Sequence, residues 1–369
     1  MTSSSPRAYP GPDLRGVVLG DRYRLVELIA CGGMASVHVA LDLRLRRPVA
    51  VKVLFPEHTR SEEQRRRILQ EAVLGARVDH PHVMPVLDAG EEAGASLGDL
   101  DDDGGRLYIV MPLVEGPSLR SVLLDGVVGW RRAALLVGQL LAGLAAIHRA
   151  GALHRDVKPE NCLVGQVDGR EHLRLADLGL AKGLGVGFTS RPPASVDGAL
   201  VGTLAYLSPE QVQGRPLDER ADLYAAGVVL FELLTRRTPF VGGHFELLCA
   251  HVHTPPPSPR VVAPGAGIPE AVAEVCLRAL EKEPSRRFGS AEAFAEALAD
   301  AVAAADGVDG GTRPCRPEHA GADAATASLA AWTRFEYRRA CDEAGRAARV
   351  NPAWAPLRLL MLCLPEGDR

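Results

Sequence analysis

Residues 151–165 read GALHRDVKPENCLVG, and this stretch decides how the rest of the chain is interpreted. It places an acid (Asp156), a cation (Lys158) and a neutral amide (Asn161) within six residues. Phosphoryl transfer requires such a set: an acceptor for the hydroxyl proton, a positive charge for the moving phosphoryl group and a metal ligand. An Ala-Leu pair and a Leu-Val pair flank these residues and predict a small hairpin that holds them. The alternative is a polar surface turn, and the remaining sequence has to decide between the two.

Length and composition restrict the protein to a few classes. With 369 residues the chain accommodates about two domains, or one two-lobed domain with extensions. A hydrophobic content of 47% and a charged content of 24% are typical of a soluble globular protein. The net charge of -4 gives no reason to expect binding to nucleic acid or to an anionic membrane.

The cysteines and the apolar segments favour a cytoplasmic protein. The seven cysteines form no C-x-x-C pair, which argues against a disulfide framework or a zinc site and favours a reducing compartment. Residues 1–20 lack the apolar core of a signal peptide and predict a flexible tail. The longest apolar stretch, 133–147, is fifteen residues long. A membrane span needs about 20 residues, so we expect a buried core helix and no membrane span.

Three strand-like segments follow the tail, at 23–29, 36–42 and 48–54. The first two are separated by the small residues of 30–35, ACGGMA. Such residues let the backbone close over phosphate groups and offer its N–H groups to them. Taken alone, this segment fits an ordinary tight hairpin about equally well.

Lys52 lies in the third of these segments, on the face opposite to the alternating valines. A lysine on the inner face of a strand needs a partner, because an unpaired buried charge is expensive. Ser61 and Gln64 form a capping-box pattern that begins the next helix. Glu71 lies within or beside the apolar stripe of that helix, and it is the candidate partner of Lys52.

An acidic segment precedes the strand predicted at 107–110, and a short strand is expected before it at 83–87. Residues 99–104, DLDDDG, match the first half of a calcium-binding loop. Val110 occupies the position where such a loop requires a bidentate glutamate. The segment is therefore interpreted as a solvated acidic loop.

The second half of the chain continues with a strand at 173–176 that ends at Asp177. Residues 180–207 are rich in Gly, Ser, Thr and Pro, as in a mobile segment. A strongly apolar helix with Asp222 in its first turn runs to about residue 234. The hydroxyl residues that could accept phosphate in the mobile segment are Thr189, Ser190, Ser195 and Thr203.

Taken in order, these motifs resemble the eukaryotic-like serine/threonine protein kinases of bacteria. The octet HRDVKPEN has the spacing of the kinase catalytic loop, and the resemblance covers about residues 21–305. Seven motifs in the right order make chance agreement negligible. The other six are CGGMASVHVALD, PVAVKVL, DLG at 177–179, GTLAYLSPE ending at Glu210, the helix at Asp222, and Arg287.

The resemblance implies an α+β, bilobal protein-kinase fold. The N-lobe, 21–113, would be an antiparallel β-sheet with one main helix, and the C-lobe, 114–305, would be mainly α-helical. The remainder would comprise the tail, a linker at 306–326 and a C-terminal helical extension at 327–369.

The resemblance also implies roles for the charged residues. Lys52 would hold the ATP phosphates, and Glu71 would orient Lys52. Asp156 would orient the substrate hydroxyl and accept its proton, while Lys158 neutralises the γ-phosphoryl group. The implied ligands of Mg²⁺, or of Mn²⁺ in its place, are Asn161 and Asp177.

Three further roles concern the support of this site. Asp222 would hold the backbone of the catalytic loop, and Glu210 would pair with Arg287. Arg155 would receive a phosphate on the mobile segment.

ATP would lie between the lobes, against a hinge at 111–116. Met111 would be the gatekeeper, the Pro112 carbonyl would accept from the adenine amino group, and Val114 would supply an N–H donor. Alanine replaces two glycines of the phosphate loop, and Leu178 replaces the usual DFG phenylalanine. None of these changes removes a charged catalytic group. The rest of the implied nucleotide site comprises Ile29, Ala30, Cys31, Gly32, Gly33, Met34, Ala35, Ser36, Val37 and Lys52.

The expected function is transfer of the ATP γ-phosphate to Ser/Thr hydroxyls of proteins, with autophosphorylation in the mobile segment. A homodimer for trans-autophosphorylation is a further expectation. Two alternatives are a nucleotide-binding pseudokinase or scaffold, and a small-molecule phosphotransferase of related fold. The complete set of catalytic polar residues disfavours the first, and the SPE motif with its Ser/Thr-rich segment disfavours the second.

Overall fold

The computed structural model describes residues 13–56, 59, 61–92, 106–177 and 204–306, except the side chains of residues 67, 71 and 74. All of them lie in the first of two compact units into which the chain divides, residues 1–309. Several predictions lie outside these residues: the calcium-like segment, the mobile segment with its four phosphate acceptors, Leu178, the linker and the C-terminal extension.

Six antiparallel strands form the sheet of the N-lobe, in the order β1-β2-β3-β4-β6-β5. Val49, Val51 and Val53 are buried together on one face, as their alternation predicts. The opposite face packs against helix α1 through Ile68 and Ala72. The strands are β1 (Val18–Leu19), β2 (Tyr23–Cys31), β3 (Ala35–Asp42), β4 (Arg47–Leu54), β5 (Asp88–Glu92) and β6 (Arg106–Pro112).

Helix α1 (Glu62–Ala76) begins where the capping box predicts. The Ser61 hydroxyl accepts from the Gln64 amide at 3.2 Å, and the Gln64 side chain accepts from the Ser61 amide at 3.2 Å. Each helix end leaves four backbone groups without intrahelical partners, and this reciprocal pair satisfies two of them.

The prediction of a strand at 83–87 is wrong, because the strand lies at 88–92. The backbone of 82–84 instead bonds to the C-lobe. The Met84 amide donates to the Leu175 carbonyl at 2.8 Å, and the Leu175 amide donates to the His82 carbonyl at 2.9 Å. These bonds tie the segment before β5 to the strand that ends at the active site.

Helix α3 (Trp130–Arg149) is the core helix predicted around 133–147. By length and composition alone it would also suit a membrane span, and it is the one such helix in the part of the chain that the structure describes. Leu136, Leu140 and Leu144 are completely buried in the main hydrophobic core, which accounts for its apolar character. The other C-lobe helices are α2 (Leu119–Asp125), α4 (Pro209–Val212), α5 (Arg220–Thr235), α6 (His244–His253), α7 (Pro259–Val262), α8 (Glu270–Ala279) and α9 (Ala291–Ala305).

Two short strands, β7 (Cys162–Val167) and β8 (Arg170–Leu175), form a hairpin in the C-lobe. Its turn residues Asp168 and Gly169 both have positive φ, 50° and 73°, as a tight two-residue hairpin requires. The hairpin expected from the two apolar pairs of residues 151–165 is therefore wrong: the Leu-Val pair belongs to β7 and pairs with β8. The reactive residues lie in the loop that precedes β7.

Candidate active site

The carboxylate of Asp222, in the first turn of α5, holds the backbone of the catalytic loop. This carboxylate accepts the backbone N–H of His154 at 2.8 Å and that of Arg155 at 2.7 Å. It also lies 2.8 Å from Nε2 of His148. Asp222 is 2% exposed, so its charge is satisfied by these buried donors rather than by water. The predicted contact between Asp222 and the loop backbone is confirmed.

Arg155 adopts a left-handed backbone conformation, with φ of 61°. A residue other than glycine rarely adopts it, and the conformation persists only where its surroundings impose it. Asp222 provides that constraint, because one carboxylate can accept two successive amides only if the chain turns sharply. Gln211 adds a bond from its side-chain amide to the Arg155 carbonyl at 3.3 Å.

His154 joins the catalytic loop to the segment that ends at Asp177. Burial lowers the pKa of His154, so the ring is neutral at pH 7. Its Nδ1 accepts the Asp156 amide at 3.3 Å, and its Nε2 donates to the Ala176 carbonyl at 3.0 Å. The Ala176 amide donates in turn to the Asn161 carbonyl at 2.7 Å. Two separate motifs of the sequence are thereby held in one rigid unit.

Asp156, Lys158 and Asn161 converge as the sequence predicts. Nζ of Lys158 lies 2.9 Å from Oδ2 of Asp156. The side-chain amide nitrogen of Asn161 donates to the Asp156 carbonyl at 2.8 Å and to its Oδ2 at 3.1 Å. These contacts fix the carboxylate while the loop holds its backbone. Because the nitrogen of Asn161 is engaged in this way, its amide oxygen remains as a ligand for a cation.

Lys52 reaches across from the N-lobe to Asp177, with 2.7 Å between Nζ and Oδ1. Asp177 has a φ of 58°, the second left-handed residue of the site. The pair brings together groups that are 125 residues apart in the sequence. The prediction that Lys52 pairs with Glu71 remains a prediction, because Glu71 is described only as a residue of α1 and its side chain lies outside the described part.

The predicted nucleotide site lies along β2, β3 and the end of β6. Val37 is paired with Lys52 in the sheet, so their side chains share the face that looks toward α1 and the cleft. Ser36 lies on the opposite face, fully buried, with its hydroxyl 2.9 Å from Nε2 of His38. The Ser36 side chain is thus directed away from the cleft, so any contact of Ser36 with nucleotide would be made by its backbone.

The turn between β2 and β3 is closed by the Gly32 amide, which donates to the Ala35 carbonyl at 2.9 Å. Ile29, Ala30, Cys31, Gly32 and Gly33 form an exposed edge, as residues that cover a ligand would. Although Cys31 is exposed, partial desolvation by the neighbouring turn raises the pKa of its thiol, which leaves less thiolate at neutral pH.

The hinge follows directly from β6, which ends at Pro112. Met111 is paired with Ala50 and so lies on the same face as Lys52. Gly116 passes very close to β7: a Cβ atom at this position would lie 2.1 Å from the Val164 carbonyl oxygen. A side chain there would push the hinge away from the strand beneath the cleft.

One charged network of the site was not predicted from the sequence. Arg120 of α2 donates to Glu232 at 2.6 Å, to Glu160 at 2.8 Å and to the hydroxyl of Tyr206 at 2.5 Å. Tyr206 also donates to Glu232. Glu160 belongs to the catalytic loop, while Tyr206 lies just before the SPE motif, so Arg120 connects both to the core helix α5.

The predicted pair of Glu210 and Arg287 is confirmed. The two side chains form a buried bidentate pair, with bonds of 2.7 and 2.9 Å. Arg287 also donates to the backbone carbonyls of Arg220, Glu281 and Lys282. Its donors are therefore satisfied within the protein, as a buried guanidinium requires. The pair holds α4 against the beginning of α5 and the segment after α8.

The arrangement places a carboxylate, two lysines, an amide and a second carboxylate along a cleft between a small β-rich lobe and a helical lobe. A carboxylate fixed in this way can accept a hydroxyl proton, and the lysines can neutralise phosphate oxygens. This fold and this constellation are those of a protein kinase catalytic domain.

Comparison with known proteins gives the same family. A family model described as protein kinase domain matches residues 23–298. The chain therefore belongs to the protein kinase family, and its relatives place it among the bacterial serine/threonine protein kinases.

The chain is 37% identical to the serine/threonine-protein kinase PknA of Mycobacterium tuberculosis, covering 96% of this chain and 77% of PknA. It is 36% identical to PknJ of the same species, covering 76% of this chain and 45% of PknJ. It is also 36% identical to the probable serine/threonine-protein kinase PknB of Bifidobacterium longum, covering 80% of this chain and 40% of PknB. The chain thus spans less than half the length of PknJ and PknB.

The solved kinase domain of M. tuberculosis PknI superposes with a TM-score of 0.59 at 27% identity. The match covers 78% of this chain and 99% of the PknI domain. The bilobal protein-kinase fold implied by the motifs is confirmed.

Proposed function

We propose that this protein is an active serine/threonine protein kinase, which transfers the γ-phosphate of ATP to Ser or Thr hydroxyls of proteins. The observation that carries the proposal is the position of Asp156. Its carboxylate contacts both Lys158 and Asn161, and the loop that bears it is anchored by Asp222. A pseudokinase would not need to hold this carboxylate so firmly.

In the proposed reaction Asp156 orients the substrate hydroxyl and accepts its proton as the oxygen attacks phosphorus. Lys158 lies next to that carboxylate and places a positive charge where the phosphoryl group moves. Lys52 binds the ATP phosphates. Glu71 is proposed to orient Lys52 when nucleotide is bound.

The family uses a divalent metal, and we propose Mg²⁺ held by Asn161 and Asp177. Both supply oxygen, the donor that Mg²⁺ prefers. The contacts described above use the amide nitrogen of Asn161 and Oδ1 of Asp177, so the amide oxygen of Asn161 and Oδ2 of Asp177 are available to a cation. The bound cation would neutralise negative charge on the phosphates. Mn²⁺ has the same preference for oxygen and is proposed as a substitute.

The proposed nucleotide site is the turn from Ile29 to Val37, together with Met111, the Pro112 carbonyl and the Val114 amide. The proposed kinase domain is 21–305, and the family match at 23–298 supports these limits. A cytoplasmic location is supported by free cysteines at positions 31, 162, 249 and 276 among the described residues. A transient homodimer for trans-autophosphorylation is a further proposal.

The test is incorporation of label from γ-labelled ATP, with Mg²⁺ or Mn²⁺, into the protein itself and into a generic protein substrate. Asp156→Asn should lower the rate at least a hundredfold, because proton transfer and positioning each contribute a large part of the barrier. Asp125→Asn, an exposed carboxylate at the end of α2, is the matched control and should behave as the parent.

If the parent and Asp156→Asn incorporate label equally, or if neither does with either metal, the proposed catalytic function fails, and a lack of label in both favours the pseudokinase. Phosphoamino-acid analysis of labelled protein substrate should show phosphoserine or phosphothreonine. Label found solely on small molecules would instead favour the phosphotransferase of related fold.

A further inference from the structure

His251 of α6 is a completely buried polar side chain that the proposed reaction does not use. Its Nδ1 lies 2.9 Å from the hydroxyl of Tyr224 in α5. Its Nε2 is also buried and forms no hydrogen bond of ordinary geometry with the residues that the structure describes. Buried polar groups are nearly always hydrogen-bonded, so a ring nitrogen left in this way requires an explanation.

The backbone of Ala205 supplies an acceptor near this ring. Ala205 packs against the same apolar cluster as α6, and the cluster includes Phe240, whose ring lies 5.1 Å from that of His251. Burial and the charge of Lys282 lower the pKa of His251 to about 4, and the Ala205 carbonyl opposes that shift. The ring is therefore neutral at pH 7 and carries one N–H. A lone pair on Nε2 would face the carbonyl oxygen, so the arrangement favours Nε2–H, with the Tyr224 hydroxyl donating to Nδ1.

The end of α6 that bears His251 is held in place by Lys282. Nζ of Lys282 donates to the carbonyls of Ala250 and His251, at 3.1 and 2.9 Å. It also lies 4.2 Å from the centre of the Phe240 ring. A cation is stabilising at the carbonyls that end a helix. The imidazole therefore has a fixed position against the segment that it faces.

That segment, 204–207, borders the catalytic loop. Leu204 and Leu207 are buried in one apolar cluster with side chains of α6. Tyr206 and Leu207 also line a small cavity together with Asp156, the proposed proton acceptor. A protein substrate that brings its hydroxyl to Asp156 passes this segment, whereas the proposed ATP site lies against the N-lobe and the hinge. His251 thus supports the side of the site that a protein substrate approaches.

We propose that His251 is a positioning residue for protein substrates. Its Nε2–H attracts the Ala205 carbonyl and holds residues 204–207 where a substrate can lie against them. The inference rests on the proposed kinase function and separates the binding of protein substrate from the binding of ATP. Loss of the donor weakens substrate binding and leaves phosphoryl transfer from bound substrate nearly intact, which is a change in KM rather than in kcat.

The kinetic experiment compares the parent with His251→Phe, which keeps an aromatic ring and removes both nitrogens. We expect KM for a generic protein substrate to rise about fivefold or more, as for the loss of one hydrogen bond. The value of kcat and KM for ATP should stay within about twofold of the parent. His251→Gln keeps a side-chain N–H near the position of Nε2 and should bring KM back to within about threefold of the parent. His253→Phe makes the same change at an exposed position of α6 and should behave as the parent.

A second measurement does not depend on activity. Hydrogen exchange of the peptide that covers 204–210 is followed by mass spectrometry, in an Asp156→Asn background that prevents autophosphorylation. His251→Phe should speed this exchange about fivefold or more, because the segment opens more readily without the donor. His251→Gln should restore most of the protection, and His253→Phe should leave it unchanged.

Three kinetic outcomes would overturn the inference: a change in KM for protein substrate of less than about twofold in His251→Phe, a fall in kcat as large as the rise in KM, or equal behaviour of His251→Gln and His251→Phe. If the parent transfers no phosphate, the proposed function fails, and the exchange rates decide the positioning role by themselves. Equal exchange in the parent and in His251→Phe overturns that role.

Discussion

Arg120 provides a direct test of how the catalytic loop is coupled to the core of the C-lobe. Replacing it with methionine keeps an unbranched apolar stem of similar reach and removes all three charged hydrogen bonds. Glu232, whose side chain is 7% exposed, would then retain the Tyr206 hydroxyl as its partner among the contacts described. Glu160 would lose its bond to α2.

The magnitude follows from burial. Removing one member of a fully buried ion pair costs about 3–5 kcal/mol, because the other charge is left uncompensated. The Arg120 side chain is 28% exposed, so water can partly replace it. We therefore expect a loss of about 2–3 kcal/mol in the free energy of unfolding. The Glu160 side chain is 40% exposed, so the loss of its bond to Arg120 should add less than about 1 kcal/mol to the destabilisation.

The assay is urea unfolding followed by circular dichroism, in an Asp156→Asn background that prevents autophosphorylation. The double variant Arg120→Met/Glu232→Gln removes the orphaned charge as well, and it should recover about 1–2 kcal/mol of the loss. A second readout is kinetic: in the active protein, Arg120→Met should raise KM for protein substrate and leave KM for ATP unchanged. The reasoning is refuted if the free energy of unfolding of Arg120→Met lies within about 0.5 kcal/mol of that of the parent. It is also refuted if the double variant is less stable than Arg120→Met.

Two further predictions follow from buried groups. In Asp222→Asn, one of the two backbone N–H groups of the loop would face an amide nitrogen instead of an oxygen, which should lower the free energy of unfolding by about 1–3 kcal/mol. We expect kcat for a protein substrate to fall about tenfold or more. Circular dichroism should show an intact fold. Burial lowers the pKa of both His82 and His251 to about 4, below the ordinary value of 6.5. Because the unfolded state then binds more protons, stability is complete above pH 6.5 and declines as the pH falls toward 4, by up to about 3 kcal/mol for each histidine. Urea unfolding between pH 7.5 and 4.5 measures this slope, and replacing either histidine with asparagine should reduce it.

Much of the site could be predicted because its chemistry requires particular residue types at fixed spacing. The acid, lysine and amide of the catalytic loop lie within six residues, so one loop conformation brings them together. Asp222 could be anticipated for a physical reason, since a carboxylate in a buried helix has to accept hydrogen bonds from somewhere. The valine alternation in β4 likewise identified the face that bears Lys52.

Other features could not be predicted, because they depend on contacts between residues far apart in sequence. The partners of Arg120 lie 40, 86 and 112 positions away, and no local pattern marks any of them. The strand before the acidic segment was misplaced by five residues for a similar reason. The local sequence at 83–87 is as strand-like as that at 88–92. The hydrogen bonds that 82–84 forms with β8 of the C-lobe decide where the pairing of β5 with β6 begins.

The anchoring of the catalytic loop to α5 has a consequence for how variation is tolerated. Fourteen residues of that helix are buried, and Gly227 packs so closely that a Cβ atom would lie 2.7 Å from the Cβ of Ala279. A bulkier residue at 227 would displace α5 relative to α8, and the carboxylate of Asp222 would move with its helix. Substitutions in the hydrophobic core therefore also disturb the loop of reacting groups. The edge of the phosphate loop is exposed at residues 29–33 and is open to a substitution such as Ala30.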